Sequence, residues 1–391
     1  MSKREWPLLF AVFLDLVGFG MAFPDLQFRA EILLKNAGVA TDWIGFGIGA
    51  LLASYFAVQM LASPRWGKLS DRLGRKPVLL VCTGLSACSM LSYAFAQSWE
   101  MILLSRVLAG MAAANVVVAN AYFADIYPSG QREAVMRRVG GAVSLGLFAG
   151  PAIGGYLAET GGSRLMGFVA AIASFVSFLW ILFGVPSAMP VPKSEAPKIR
   201  PKLNVLFSSP QLTRLCAVTV LSWFALACLD GTFGRLIHQK LGYGQREFGL
   251  IFSYESILGT VVTWFILKSL QKRFSRAILL RVSLLLQAVG LALTPFAPSL
   301  LFLFFASTLY AFGSGCANPT INTACSDLAP ADRQGELFGA MQAARSIGFL
   351  IGPMVGGKLF DMQPEAPYLL AGVAATIAAI LIPTGTTLRT D

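Results

Sequence analysis

The sequence predicts an all-α integral membrane protein in which twelve transmembrane helices form two parallel six-helix halves. Three observations carry that expectation. Of 391 residues, 55% are hydrophobic and 13% charged, with a mean hydropathy of +0.66, far from the balance of a soluble domain. Apolar runs close to the ~20 residues needed to cross a bilayer recur along the whole chain rather than at one anchor. A glycine–proline block also occurs twice at one offset, with a proline-rich polar stretch between the copies.

The first span is expected over 6–28, where LDLVGFGMAFPDL combines an acid, Asp15, with Pro24. It runs past Asp15 without a small-residue cleavage site, so no signal peptide is expected. The second (43–64) and third (78–97) flank residues 67–77, GKLSDRLGRKP, where Arg65, Lys68, Arg72, Arg75 and Lys76 crowd a tight hairpin. Gly67 and Gly74 permit sharp turning, Pro77 suits a first helical turn, and Asp71 is expected near the start of the third helix. The fourth, 100–124, holds Arg106 and Gly110 in RVLAG and runs into ADI at 124–126. The fifth, 139–159, carries Gly146, Gly150, Pro151, Gly154 and Gly155. Small residues four apart let helix backbones approach, and proline bends the helix, so a close contact with the second half is expected there. The sixth, 164–185, ends the first half, 1–185. Residues 186–210, with six prolines and a cluster of cations, cannot build a packed core and read as a cytoplasmic linker. The second half, 211–391, supplies spans at 211–233, 247–267, 277–296, 299–324, 338–360 and 367–385.

The net charge of +11 is a topology signal and not a nucleic-acid footprint. With the N-terminus inside, 22 of the 31 lysines and arginines fall on the cytoplasmic side and 7 outside, while Arg106 and Arg345 stay within spans. That bias places both termini in the cytoplasm. The cysteines (Cys82, Cys88, Cys216, Cys228, Cys316, Cys325) form no CxxC and have no histidine cluster, so neither a zinc site nor a disulfide framework is supported. The one histidine, His238, reads as a solvated residue in the loop after the seventh span.

The repeat is specific. A shift of 202 pairs Gly146, Gly150, Pro151, Gly154 and Gly155 with Gly348, Gly352, Pro353, Gly356 and Gly357. The same shift pairs Asn120 with Asn322, Asp125 with Asp327 and Pro128 with Pro330, and a shift of 205 pairs Asp25 with Asp230. Six spans is an even number, so the halves enter the membrane in one orientation. The order G-x-x-x-D-R-x-G-R-K from Gly67 resembles the loop between helices 2 and 3 of the major facilitator superfamily. The block at Gly146–x–x–x–Gly150–Pro151 is similar to the antiporter motif of its twelve-helix drug–proton exporters. Asp15, nine residues before Pro24, and the RVLAG arginine resemble the tetracycline-efflux-type branch. The loop at 268–276, the counterpart of 67–77, departs from the pattern in lacking the aspartate and both glycines.

This resemblance implies a secondary active transporter that exports a small amphiphilic compound, such as a drug or antibiotic, with protons as coupling ion and no cofactor. The alternative is a transporter of a metabolite, sugar or lipid with the same fold. It further implies a monomer in the bacterial inner membrane, and no enzyme chemistry. Intramembrane charges are the default functional candidates. Asp15, Arg106, Glu255 and Asp25 are the expected proton-coupling groups, because burial and a nearby arginine push a carboxyl in opposite directions. Gly67, Asp71, Arg72, Gly74, Arg75 and Asp125 are the expected conformational latch. A substrate cavity is expected from Tyr55, Gln59, Asn115, Asn120, Trp223, Asp230, Tyr254, Asn318, Asn322 and Gln342, mid-span polar and aromatic residues suited to a lipophilic compound.

Overall fold

The computed structural model of the protein describes residues 5–127, 129–186, 209–328 and 334–382. Most of the expected linker (187–208), the pair Pro128 and Pro330, and Lys3, Arg4, Lys193, Lys198, Arg200, Lys202, Arg333 and Arg389 lie outside the described residues. The described chain is helical, with no strand. Its helices are α1 (Trp6–Asn36), α2 (Thr41–Leu73), α3 (Arg75–Ala94), α4 (Trp99–Ala112), α5 (Asn115–Ile126), α6 (Ser129–Gly184), α7 (Pro210–Leu241) and α8 (Gln245–Val261). They continue with α9 (Leu267–Arg273), α10 (Arg276–Leu293), α11 (Leu300–Leu328), α12 (Gln334–Met362) and α13 (Ala366–Leu381).

Among the described residues, nine helical stretches are long and apolar enough to cross a membrane. One of them contains two of the expected spans, because α6 breaks at Gly162, where φ is 75°. A left-handed φ suits glycine, and the break falls between the expected spans 139–159 and 164–185. α4 and α5 together make the fourth span, and α8 to α9 the eighth, joined by a π-helical stretch at Val262–Ile266. α12 and α13 occupy the places of the last two.

Two boundaries differ from expectation. α2 continues to Leu73, so GKLSDRL is helical and the hairpin shrinks to Gly74, with φ 94° and ψ 159°. Lysine, leucine and arginine are good helix formers, and Gly67 has open space around it, so the charged stretch extends the helix. Asp71 therefore lies in the last turn of α2 rather than at the start of α3. Likewise α7 runs to Leu241, which puts His238 in its last turn, its ring edge-on to Phe28.

The chain forms two compact units. The first comprises the described residues of Met1–Ala40, Ala50–Lys193 and Ile237–Ser253; the second those of Thr41–Gly49, Ser194–Leu236 and Tyr254–Asp391. In the first, Leu8, Val12, Leu79, Val118, Phe123, Val139 and Ile181 bring α1, α3, α5 and both parts of α6 into one core. In the second, Leu212, Leu215, Leu284, Ile321, Leu337, Met341 and Ala378 do the same for α7, α10, α11, α12 and α13. The same positions of each half thus build each core. Phe183 and Leu301 are more than four-fifths exposed, as suits a lipid-facing surface. Since lipid is as apolar as leucine, close packing rather than water exclusion holds such helices together.

The repeated glycine block supplies that packing. A Cβ at Gly154 would collide with Met21, and one at Gly150 would come within 2.8 Å of Gly20 Cα, so α6 lies against α1. Gly352 and Gly356 hold α12 against α7 at Ala227 and Cys228 in the same manner. Most of the block therefore faces the first helix of its own half. Gly155 and the Pro151 carbonyl meet α8, at Gln245 and Gly249, and the Ser253 hydroxyl donates to the Phe148 carbonyl at 2.6 Å. Two acids 202 residues apart complete these contacts: Glu159 accepts from the Arg246 amide at 3.2 Å, and Asp361 from the Gly45 amide at 2.7 Å.

Candidate functional site

Asp15 lies on α1, 7% exposed, where Gly18 lets the second part of α6 approach to about Cβ contact distance. The Asn115 amide donates to Asp15 Oδ2 at 2.6 Å. Asn115 is the first residue of α5, immediately after the break at Ala113 and Ala114, so the interruption of the fourth span aims this amide at the carboxylate. Ser86 and Ser174 stand beside the same carboxyl group. Its other oxygen, Oδ1, is buried without a hydrogen-bond partner, and no cation pairs with it among the described residues.

Arg106 does not reach Asp15. Its guanidinium lies 5.5 Å from the Tyr93 ring centre, one nitrogen donates to Ser105 Oγ at 3.2 Å, and buried Nε has no acceptor. The Tyr93 hydroxyl donates to Asp25 Oδ2 at 2.7 Å, and Ser163 donates to Asp25 Oδ1 at 2.9 Å. Arg106 and Asp25 thus flank one tyrosine, which sequence reasoning missed. The Tyr55 and Phe19 rings pack tilted with centres 4.9 Å apart, Gln59 is half-buried, and Asn120 Oδ1 is buried without a partner.

The basic hairpin is a built cluster. Arg75, 7% exposed at its side chain, bonds Asp125 Oδ2 through Nε at 2.8 Å, Asp71 Oδ1 at 2.6 Å and Ser70 Oγ at 2.5 Å. It joins the end of α2, the start of α3 and the end of α5. Arg72 points outward. Despite its altered loop, the second half keeps a counterpart: Arg276 in the first turn of α10 pairs with Asp327 at the end of α11, and Ser275 caps α10 where Gly74 precedes α3. The repeat already paired Asp327 with Asp125, which was the signal for this bridge.

In the second unit the Ser307 hydroxyl donates to Glu255 Oε1 at 2.6 Å, and buried Asp230 lies within electrostatic reach of Glu255. Tyr254, one residue away, turns instead to Thr308 at 2.7 Å and to a cleft of about 590 Å³ lined by Phe302, Phe304 and Phe305. Asn322 and Gln342, with Trp223, surround Arg345, and Asn318 lies one turn before Asn322 on α11. Sequence reasoning noted Arg345 as an intramembrane charge without giving it these partners.

The Major Facilitator Superfamily model matches residues 8–268 and 215–388, nearly the whole chain. The chain belongs to this superfamily. Membership makes it an integral membrane transporter and not an enzyme. It is similar to the quinolone resistance protein NorA of Staphylococcus aureus, 28% identical over 385 residues that cover 98% of this chain and 96% of that protein. It is also similar to multidrug resistance protein 1 of Bacillus subtilis, 25% identical over 95% of each chain. Among solved structures, the nucleoside transporter NupG matches with a TM-score of 0.78 at 17% identity, over 97% of this chain and 98% of that one. The human organic anion transporter MFSD10 matches with a TM-score of 0.69 at 21% identity, over 97% and 99%. These likenesses establish the facilitator fold that the repeat predicts.

Proposed function

We propose that this facilitator exports a small amphiphilic compound, of the drug class named for its quinolone- and multidrug-resistance relatives, in exchange for protons by alternating access. The observation that carries the reading is Asp15, a carboxylate deep in a span, contacted by neutral groups only (the Asn115 amide, with Ser86 and Ser174 beside it) and matched by no cation among the described residues. A purely structural buried carboxylate is normally paired. One held by neutral partners alone can take up a proton in one state of the cavity and release it in another. Asp25, Arg106 and Glu255 serve the same proton traffic, with Asp15 as its main site.

The substrate meets the amides and rings of the cavity set, from Tyr55 and Asn115 to Trp223 and Asn322. The two halves, 1–185 and 211–391, rock about the site, joined by the linker at 186–210. The Arg75 cluster acts as a conformational latch, and the edge of the glycine block that meets α8, Pro151 and Gly155, as the sliding seam. The protein works as a monomer in the bacterial inner membrane with both termini in the cytoplasm, needs no cofactor and binds no nucleic acid.

Asp15→Asn tests the core of this reading in proteoliposomes under an imposed pH gradient. The variant is expected to bind substrate but not to accumulate it against a gradient. Uphill transport equal to the parent's would move the coupling role to Glu255 or Asp25.

A further inference from the structure

We propose that Arg345 forms an anion-accepting subsite that takes the carboxylate of an aromatic amphiphile, with Trp223 and Phe349 holding the aromatic body. The proposal rests on the transport reading above and adds a substrate class to it. Arg345 sits on α12, one turn from Phe349, and faces Trp223 of α7 and Asn322 of α11, all in the second unit.

Its guanidinium is always charged and carries five N–H donors in a planar fork. Among the described residues, two hydrogen bonds use that fork. One nitrogen donates to Asn322 Oδ1 at 2.6 Å, another to Gln342 Oε1 at a long 3.5 Å, and Nε is buried with no acceptor. Both acceptors are neutral amides, and no carboxylate pairs with Arg345 among the described residues. Arg75, Arg235 and Arg276, by contrast, each hold an aspartate. An intramembrane arginine left without an acid is costly unless it faces a cavity or awaits an anion.

The surroundings add an apolar partner. Arg345 lies 5.5 Å from the Trp223 ring centre, and Trp223 lies 5.2 Å from Phe349 in a tilted ring pair. A charged fork beside two aromatic faces complements a molecule with a carboxylate at one edge of a flat ring system. A bidentate arginine–carboxylate contact then supplies strength and orientation. A lipophilic cation has no use for the fork.

The test uses the full-length purified protein, with a quinolone carboxylic acid, its methyl ester and tetraphenylphosphonium as probes. Binding is read by thermal shift in detergent, and transport in proteoliposomes. Arg345→Gln keeps much of the side chain's bulk and loses the charge, and Arg345→Lys keeps the charge without the fork. Losing a hydrogen-bonded charge pair should weaken binding of the acid about tenfold or more in Arg345→Gln, with only partial recovery in Arg345→Lys. Ester and phosphonium should change less than twofold. Equal weakening of acid and ester, or an acid affinity untouched by Arg345→Gln, overturns the subsite. Parent protein that transports phosphonium yet binds no acid also overturns it and leaves the transport reading intact. Acid binding that depends on Arg345, without transport of any probe, sustains the subsite and refutes the export reading.

Discussion

Asp125→Asn and Asp71→Asn should destabilise the protein very unequally, although both aspartates contact Arg75. The Asp125 side chain is 16% exposed and meets Nε of an arginine that is 7% exposed, whereas Asp71 is 54% exposed and four residues from Arg75 in sequence. A hydrogen bond to a charged group contributes about 1.5–3 kcal/mol when shielded, while an exposed i,i+4 pair contributes about 0.3–0.5 kcal/mol. Asparagine still accepts a bond, so Asp125→Asn should cost about 1–2 kcal/mol and Asp71→Asn less than about 0.5 kcal/mol. Denaturant titration of the purified protein in detergent, run as double-mutant cycles with Arg75→Gln, separates the two couplings. Burial also ranks the halves. Asp327 is 52% exposed opposite Arg276, so Asp327→Asn should cost less than Asp125→Asn. An Asp71 coupling equal to or larger than that of Asp125 would refute the burial argument.

Two further outcomes follow from the ends of the helices. Gly74→Ala should lose about 1–3 kcal/mol of stability, because φ 94° with ψ 159° strains any residue with a Cβ. Gly67→Ala, with nothing within 4 Å of the new methyl group, should gain up to about 1 kcal/mol from helix propensity. Transport that falls in Gly67→Ala while thermal stability rises would mark Gly67 as a residue of the moving state; a loss of stability would refute the packing argument. The second outcome concerns Glu5, which precedes α1 and accepts from the Tyr127 hydroxyl at 2.8 Å and from Arg138. Burial pushes its carboxyl up, but the bonds from Tyr127 and Arg138 outweigh that and hold it below the ordinary glutamate range. A lowered folded pKa gives stability that is present above the unfolded value and lost as pH falls. The midpoint difference between parent and Glu5→Gln should therefore be full near pH 7 and vanish below about pH 4. A difference that stays constant across that range would mean the charge does nothing.

What the sequence made legible was what repeats or stands out against apolar background. The spans followed from hydropathy, and the gap between 159 and 164 fell on Gly162, where α6 breaks. Asp15 and Arg345 stood out because a charge in an apolar run needs a reason. Their partners were not legible. Asn115 lies 100 residues from Asp15, and nothing local to ANVVVANAY announces that the fourth span breaks just before it. The arginine of the same half looked like the natural partner, yet Tyr93 stands between Arg106 and Asp25. The continuation of α2 through GKLSDRL was hidden for a different reason. Charge density signals the membrane edge, and the helix does not have to stop there.

The repeat itself separates scaffold from function. Features present in both halves hold helices together: the glycine block on α1 and α7, the acids Glu159 and Asp361 on the amides of α8 and α2, and the arginine–aspartate bridges at Asp125 and Asp327. Asp25 with Asp230 and Asn120 with Asn322 keep the symmetry within the candidate site, whereas three of its charges break it. At the shift of 202, Arg106 corresponds to Thr308 and Arg345 to Val143; at the shift of 205 that aligns the first and seventh spans, Asp15 corresponds to Val220. A packing device is needed twice because two bundles must be built. A proton site or an anion fork is needed once, and a second copy would add an intramembrane charge with no task to offset its cost. On the proposed reading, the asymmetric charges are where proton coupling and substrate choice belong. Among the described residues, an acid without a charged partner, Asp15, lies in the first unit, and a guanidinium without one, Arg345, lies in the second.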